Sequence, residues 1–156
     1  MTEPPDVIVD TNVLLDVTEQ DERCASWSTD QMERHATRLV VNSLIYTELC
    51  YEAGDADDVD FILLSLGLRY EELPRRALFL AAQAFRTYRQ RGGTKSAPLS
   101  DFFIGAHAAA SELPILTRDI ARYRTYFPQV ELICPQDLGI RSRVSSPFIP
   151  IKGLRV

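Results

Sequence analysis

Along the first half of the chain, short all-apolar runs alternate with longer stretches of helical period. Val7-Ile8-Val9 follows Pro4-Pro5 and gives way at once to polar Asp10-Thr11-Asn12, which outlines a buried strand over Asp6–Asp10. Val13-Leu14-Leu15 then starts a helical segment, and Glu22–His35 reads as a second helix. Leu39-Val40-Val41 predicts another buried strand. Behind it, Asn42-Ser43 offers caps for a helix over Leu44–Ala53, which Gly54 ends. Asp57–Leu66 predicts a helix with acids in its first turn, where the macrodipole favours them, and Gly67 stops it.

The second half continues the alternation. Leu68–Leu73 reads as extended, and Pro74 suits the first turn of a long helix, Arg75–Arg91, terminated by Gly92-Gly93. On that helix Leu78, Ala81, Phe85 and Tyr88 share one face, and Arg75, Arg86 and Arg89 line a neighbouring one. After a loop at Thr94–Pro98 come a helix at Ser100–Ser111, a strand at Ile115-Leu116, a short helix at Ile120–Phe127 and a last strand at Val130–Ile133. The pattern predicts an α/β fold: a single domain over residues 1–135, with a short parallel sheet and helices on both faces. Residues 136–156 hold Pro147 and Pro150 and little periodicity, and read as a basic tail lying on the body or on a partner.

In such sheets, ligands bind at the carboxyl ends of the strands. Asp10 and Asp119 fall at or just past two of those ends, Asp101 opens a helix, and Glu48 lies within one. Carboxylates brought together repel unless a divalent cation holds them. With only 2 His and 3 Cys, and no C-x-x-C pair, zinc is disfavoured, whereas an all-oxygen set suits Mg²⁺ or Mn²⁺. Asp10 and Asp101 or Asp119 are expected to touch the ion. The remaining acids would bind through water, hold a second ion or orient the attacking water. Thr11, Asn12, Ser100 and Thr117 would steady the carboxylates. Such an ion lowers the pKa of its water and offsets charge developing on a phosphate. Each acid also has a local role open to it: Asp10, Asn12 and Asp119 as helix caps, Asp101 as a first-turn acid, Glu48 as a solvated helix residue.

Charge adds a counterpart. Residues 1–72 carry 17 acids and 4 bases, while residues 73–156 carry 5 acids and 13 bases. Arg86, Arg89, Arg91 and Lys95 fall in a stretch, Leu73–Ser100, that has no acid, and Arg118 adjoins Asp119. These are the candidate phosphate contacts, because a nucleic-acid backbone must be drawn to a site that is itself negative. An ordinary solvated helix face is the alternative. Asp16 reads as a surface residue. His35 and His107 read as structural or exposed. Trp27, Tyr46 and Phe61 read as core or interface. Cys24, Cys50 and Cys134 read as free thiols, buried or half-buried.

Asp10-Thr11-Asn12, Glu48 within Tyr46-Thr47-Glu48-Leu49, Asp101 within Ser100-Asp101-Phe102-Phe103-Ile104-Gly105-Ala106, and Thr117-Arg118-Asp119 together resemble the PIN-domain nucleases. Within them the chain is most similar to the VapC toxins of bacterial toxin–antitoxin pairs, above all over Leu116–Pro128. The resemblance implies a metal-dependent endoribonuclease acting on structured RNA such as tRNA or rRNA. By position it assigns Asp10, Glu48, Asp101 and Asp119 to the family's acidic quartet, and Thr11, Asn12 and Thr117 to its polar supports. It further implies a homodimer and a cognate antitoxin that occupies the active-site groove.

No apolar run approaches a membrane span, and residues 1–6 lack a signal-peptide pattern, so a cytoplasmic location is expected. Two competing functions follow from the same residues. One is a PIN-like module that binds RNA or a partner without chemistry. The other is an aspartate-nucleophile phosphotransfer domain, which usually needs a positioned Lys and an acid near Asp10, where Asn12 stands instead.

Overall fold

In the computed structural model, which describes residues 2–51 and 53–136, five strands form one sheet. They are β1 (Val7–Val9), β2 (Leu39–Val41), β3 (Arg69–Tyr70), β4 (Ile115–Leu116) and β5 (Leu132–Ile133). Their order is β3-β2-β1-β4-β5, and every neighbouring pair is parallel. β1 is central: Ile8 stands opposite both Val40 of β2 and Ile115 of β4. β1, β2 and β4 are buried throughout, which explains why they read as unbroken apolar runs rather than alternating ones.

Seven helices connect the strands among the described residues: α1 (Thr11–Glu19), α2 (Ala25–Arg34), α3 (Ser43–Cys50), α4 (Ala56–Ser65), α5 (Arg75–Gln90), α6 (Ser100–Ser111) and α7 (Ala121–Tyr126). From β1 the chain steps outward to β2 and β3, then crosses back to β4 and on to β5. Right-handed crossovers stepping in opposite directions place their helices on opposite faces. The reversal makes a crevice at the carboxyl ends of β1 and β4, where Asp10 and Thr117 follow directly.

Side-chain caps set the starts of α1, α3 and α4. Asp10 accepts from the Thr11 amide at 2.8 Å, so α1 begins at Thr11, two residues before the apolar run that predicted it. Asp21 accepts from the amides of Arg23 and Cys24 at 2.9 and 3.0 Å, a turn that delays α2 to Ala25. Asn42 caps α3 through the amides of Leu44 and Ile45, and Asp55 caps α4 through Asp58.

On α5 the buried stripe is Ala77, Ala81 and Ala84, with Phe85 and Tyr88 half-buried. Leu78, expected with Ala81 on one face, is 47% exposed, and Phe79 is 64% exposed. The small alanines let α5 lie close against α6, which rotates the larger side chains outward. Phe61 is likewise exposed at 65%, whereas Trp27 and Tyr46 pack half-buried against the core. Cys24 is buried, and Cys50 and Cys134 are half-buried free thiols. The tail predicted over 136–156 lies, apart from Gln136, outside the described residues.

Gly105 seats α6. A Cβ built there would stand 2.3 Å from the ring of Phe127, itself 4% exposed and packed in the core. Gly105→Ala is therefore expected to cost about 1–3 kcal/mol, the usual range for overpacking. Denaturant unfolding checks this; an unchanged midpoint would show that the ring gives way freely.

Candidate functional site

Asp10 follows the carboxyl end of β1, 5% exposed, and four donors surround its carboxylate. Oδ1 accepts from the Thr11 amide. Oδ2 accepts from Thr117 Oγ1 at 2.8 Å, Tyr123 OH at 2.9 Å and Asn12 Nδ2 at 3.2 Å. Three elements thus converge on one oxygen: α1, the turn after β4, and α7. Asp10 is both the cap of α1 and the anchor of the site, because the helix N-terminus favours an anion there.

Thr117 and Asn12 carry the arrangement onward. The Asp119 amide donates to Thr117 Oγ1 at 3.1 Å, and the Arg118 amide donates to Asn12 Oδ1 at 3.0 Å. Thr11 Oγ1 donates to Glu48 Oε2, and Ser100 bonds the same carboxylate. Arg122 Nη1 donates to Asp101 Oδ2. Glu48 and Asp101 are half-buried, and Asp119 is exposed at the rim.

The charges interact. Burial pushes the Asp10 carboxyl up to about 7; the Asp101 charge pushes the same way, against the Thr117 and Tyr123 hydrogen bonds, with Glu48 adding to the rise. Burial also raises Glu48, opposed by its bonds from Thr11 and Ser100 and aided by Asp101. Asp101 is raised by burial, lowered by the Arg122 guanidinium, and raised again by Asp119. Repulsion therefore links Asp10, Glu48 and Asp101, with the Asp119 charge acting on Asp101. An all-oxygen set of anions that oppose one another's ionisation fits a hard divalent cation such as Mg²⁺ or Mn²⁺.

Two residues escaped the sequence reading. Tyr123 is 1% exposed, and its hydroxyl is bonded to Asp10. Its only sequence signal is its place four residues before Phe127 on the apolar side of α7. Arg122 had no signal distinguishing it from neighbouring arginines.

Two expectations are corrected. Asp16 is not at the surface: it is 2% exposed, accepts from Ser28 Oγ at 2.6 Å and forms an ion pair with Arg118. Arg118, expected among the RNA contacts, turns inward instead, with Nε and Nη2 each 2.6 Å from the Asp16 carboxylate. Burying that carboxylate requires a counter-charge, and Arg118 supplies it. Arg89 is partly committed too, its Nη1 donating to the carbonyls of Gly93 and Lys95 at 3.2 and 2.9 Å. Arg91 lies 5.7 Å from the centroid of the Tyr126 ring, and Arg86 and Lys95 are exposed.

Among the described residues, Asp16, Asp21 and Cys24 form a tighter cluster, with donor atoms within 4.8 Å of one another. Arg118 already balances it, so it presents no demand for a metal. Both histidines are engaged elsewhere: His107 Nδ1 lies 3.1 Å from Asn42 Nδ2, and His35 Nδ1 lies 2.9 Å from Arg38 Nη2.

The raised Asp10 pKa has a thermodynamic consequence. Between the ordinary value of 3.8 and about 7, the native protein holds a proton that the unfolded chain has released. Stability therefore falls as pH rises through that window, and the full penalty applies above it. Glu48 and Asp101 shift in the same direction. Chelator-treated protein is expected to lose melting temperature between pH 5 and pH 8, with a smaller loss in Asp10→Asn. Equal slopes for the two proteins would contradict the assignment.

The model of one family, the PIN domain, matches residues 7–128. No curated protein matches the chain. Solved structures do. DNA-bound VapBC from Salmonella typhimurium is 14% identical, with a TM-score of 0.64 over 84% of this chain and 98% of that one. A toxin–antitoxin complex from Klebsiella pneumoniae is 15% identical, with a TM-score of 0.62 over 85% of this chain and 100% of that one. FitAcB from Neisseria gonorrhoeae is 22% identical, with a TM-score of 0.54 over 81% and 95%. At these identities the likeness carries the fold, and the family match, which spans well over half of the sequence, carries the membership: the chain belongs to the PIN domain family.

Proposed function

We propose that this protein is a metal-dependent endoribonuclease of the VapC toxin type, cleaving structured RNA such as tRNA or rRNA and held in check by a cognate antitoxin. The observation that carries the reading is the mutual charge coupling of Asp10, Glu48, Asp101 and Asp119 at the carboxyl edge of a parallel sheet, within a PIN domain. The structural neighbours support the biology, since they include VapBC and another toxin–antitoxin complex. We place its action in the cytoplasm as part of this proposal; no described helix is long and apolar enough to cross a membrane.

In this proposal Asp10, Asp101 and Asp119 hold Mg²⁺ or Mn²⁺. Such an ion offsets negative charge on the scissile phosphate and makes its water easier to deprotonate. Asp10 is fixed by its four donors, so its carboxyl group does not have to reorganise when RNA arrives. Glu48, bonded by Thr11 and Ser100, orients the attacking water. Thr117 spaces Asp119 from Asp10 through its single hydroxyl. Arg86, Arg91 and Lys95 meet the RNA backbone, and Arg89 adds charge while bracing the loop they share.

Exposed Phe61 and Leu64 on α4, and Leu78 and Phe79 on α5, provide apolar surface for the expected homodimer or antitoxin contacts.

Purified protein is expected to cleave structured RNA with Mg²⁺ or Mn²⁺, and to stop in excess chelator. Asp10→Asn is expected to lower cleavage by at least about 100-fold while retaining a folded circular dichroism spectrum. A gel assay of labelled RNA reads both outcomes. Cleavage that survives chelator or the substitution would overturn the proposal, and RNA binding without cleavage would favour a non-catalytic module.

A further inference from the structure

Two arginines of the segment after β4 pair with acids, and they do so differently. Arg118 grips Asp16 through two bonds of 2.6 Å, and the Asp16 side chain is 2% exposed. Arg118 itself is 28% exposed, but opening the pair would strand a buried carboxylate. Arg122 meets Asp101 through Nη1 and Oδ2 alone, and the two side chains are 31% and 27% exposed. This second contact is open to solvent and leaves Asp101 Oδ1 untouched by it.

Asp101 also acts on the other acids. Its charge raises both Asp10 and Glu48, and Asp119 raises it in turn. Among the described residues, Arg122 is the one cation in an ion pair with any of the four acids. The guanidinium carbon lies 5.9 Å from the centroid of the Phe102 ring, a buried side chain next to Asp101 on α6. The ring gives the arginine a second hold beside the carboxylate, so it can leave Asp101 without leaving the site.

We propose that Arg122 is a displaceable counter-ion of Asp101, which neutralises the acid cluster until a divalent cation takes its place and thereby sets the cation concentration at which the site fills. The inference rests on the reading of this cluster as a metal centre. Its physical basis is competition. The guanidinium occupies a donor oxygen, and its positive charge lowers the negative potential that draws a second cation in. Removing it exposes Asp101 and strengthens the field. Ordinary structural damage would do the reverse and weaken binding, so the sign of the effect is diagnostic.

The test is Mn²⁺ titration of the full chain by calorimetry, without RNA. Arg122→Gln is expected to bind Mn²⁺ about two- to fivefold more tightly than wild type, as a partly exposed charge pair allows. Arg122→Lys, which keeps the charge, is expected to stay near wild type. Arg124→Gln, which removes an exposed α7 charge elsewhere, is expected to leave affinity unchanged. Without metal, Arg122→Gln is also expected to melt below wild type at pH 8, and Mn²⁺ to close that gap. Equal or weaker binding by Arg122→Gln, or an equal gain in Arg124→Gln, overturns the proposal and leaves the metal centre standing. Absence of Mn²⁺ binding in both wild type and Arg122→Gln overturns the metal centre and this inference together.

Discussion

Repulsion between carboxylates in a confined crevice is the constraint around which this molecule is organised. The topology forces it: β1 and β4 are neighbours, the chain leaves both at the same edge, and an acid stands at or just beyond each exit. α3 and α6 then add Glu48 and Asp101. Folding a chain that gathers such charges requires compensation. Here it comes as four donors on Asp10, two on Glu48 and an arginine on Asp101. Burial still pushes Asp10 to about 7. A site that stays poised against its own charge at neutral pH is one that a dication stabilises, and PIN membership gives that physical demand a functional context.

The same need for compensation explains where the arginines go. A basic second half suggests a broad RNA-facing surface, but the fold spends part of that charge internally. Arg118 neutralises buried Asp16, Arg122 neutralises Asp101, and Arg89 ties back the loop beyond α5. The Asp16–Arg118 pair and the bond from the Arg118 amide to Asn12 join α1 to the turn that bears Asp119. Under the proposed function, drawing RNA would fall to the exposed arginines and lysine around the end of α5. Net charge by segment therefore overstates what a phosphate would meet.

Much of this was legible from residue order. β1, β2 and β4 are unbroken apolar runs because helices cover both faces, and their ends are marked by Asp10, Asn42 and Thr117. Every predicted strand and helix exists, with boundaries moved by one to three residues, at the starts of α1 and α3 by the side-chain caps Asp10 and Asn42. Asp16 was misjudged although a clue was present. It stands three residues after Val13, within the apolar run Leu14-Leu15-Asp16-Val17, where helical period points inward. Its partner lies 102 residues away, and no local rule could pair them. The Tyr123–Asp10 bond spans 113 residues and was invisible for the same reason. The α5 stripe was misplaced because the larger apolar side chains were given the core, whereas close helix contact selected the alanines.

The most direct measurement is anomalous diffraction from crystals of this protein soaked in Mn²⁺. The account predicts a manganese peak in the crevice, within about 2.0–2.6 Å of carboxylate oxygens of Asp10 and of Asp101 or Asp119. A peak at the Asp16, Asp21 and Cys24 cluster instead, or a crevice that takes up no manganese at saturating concentration, would contradict it.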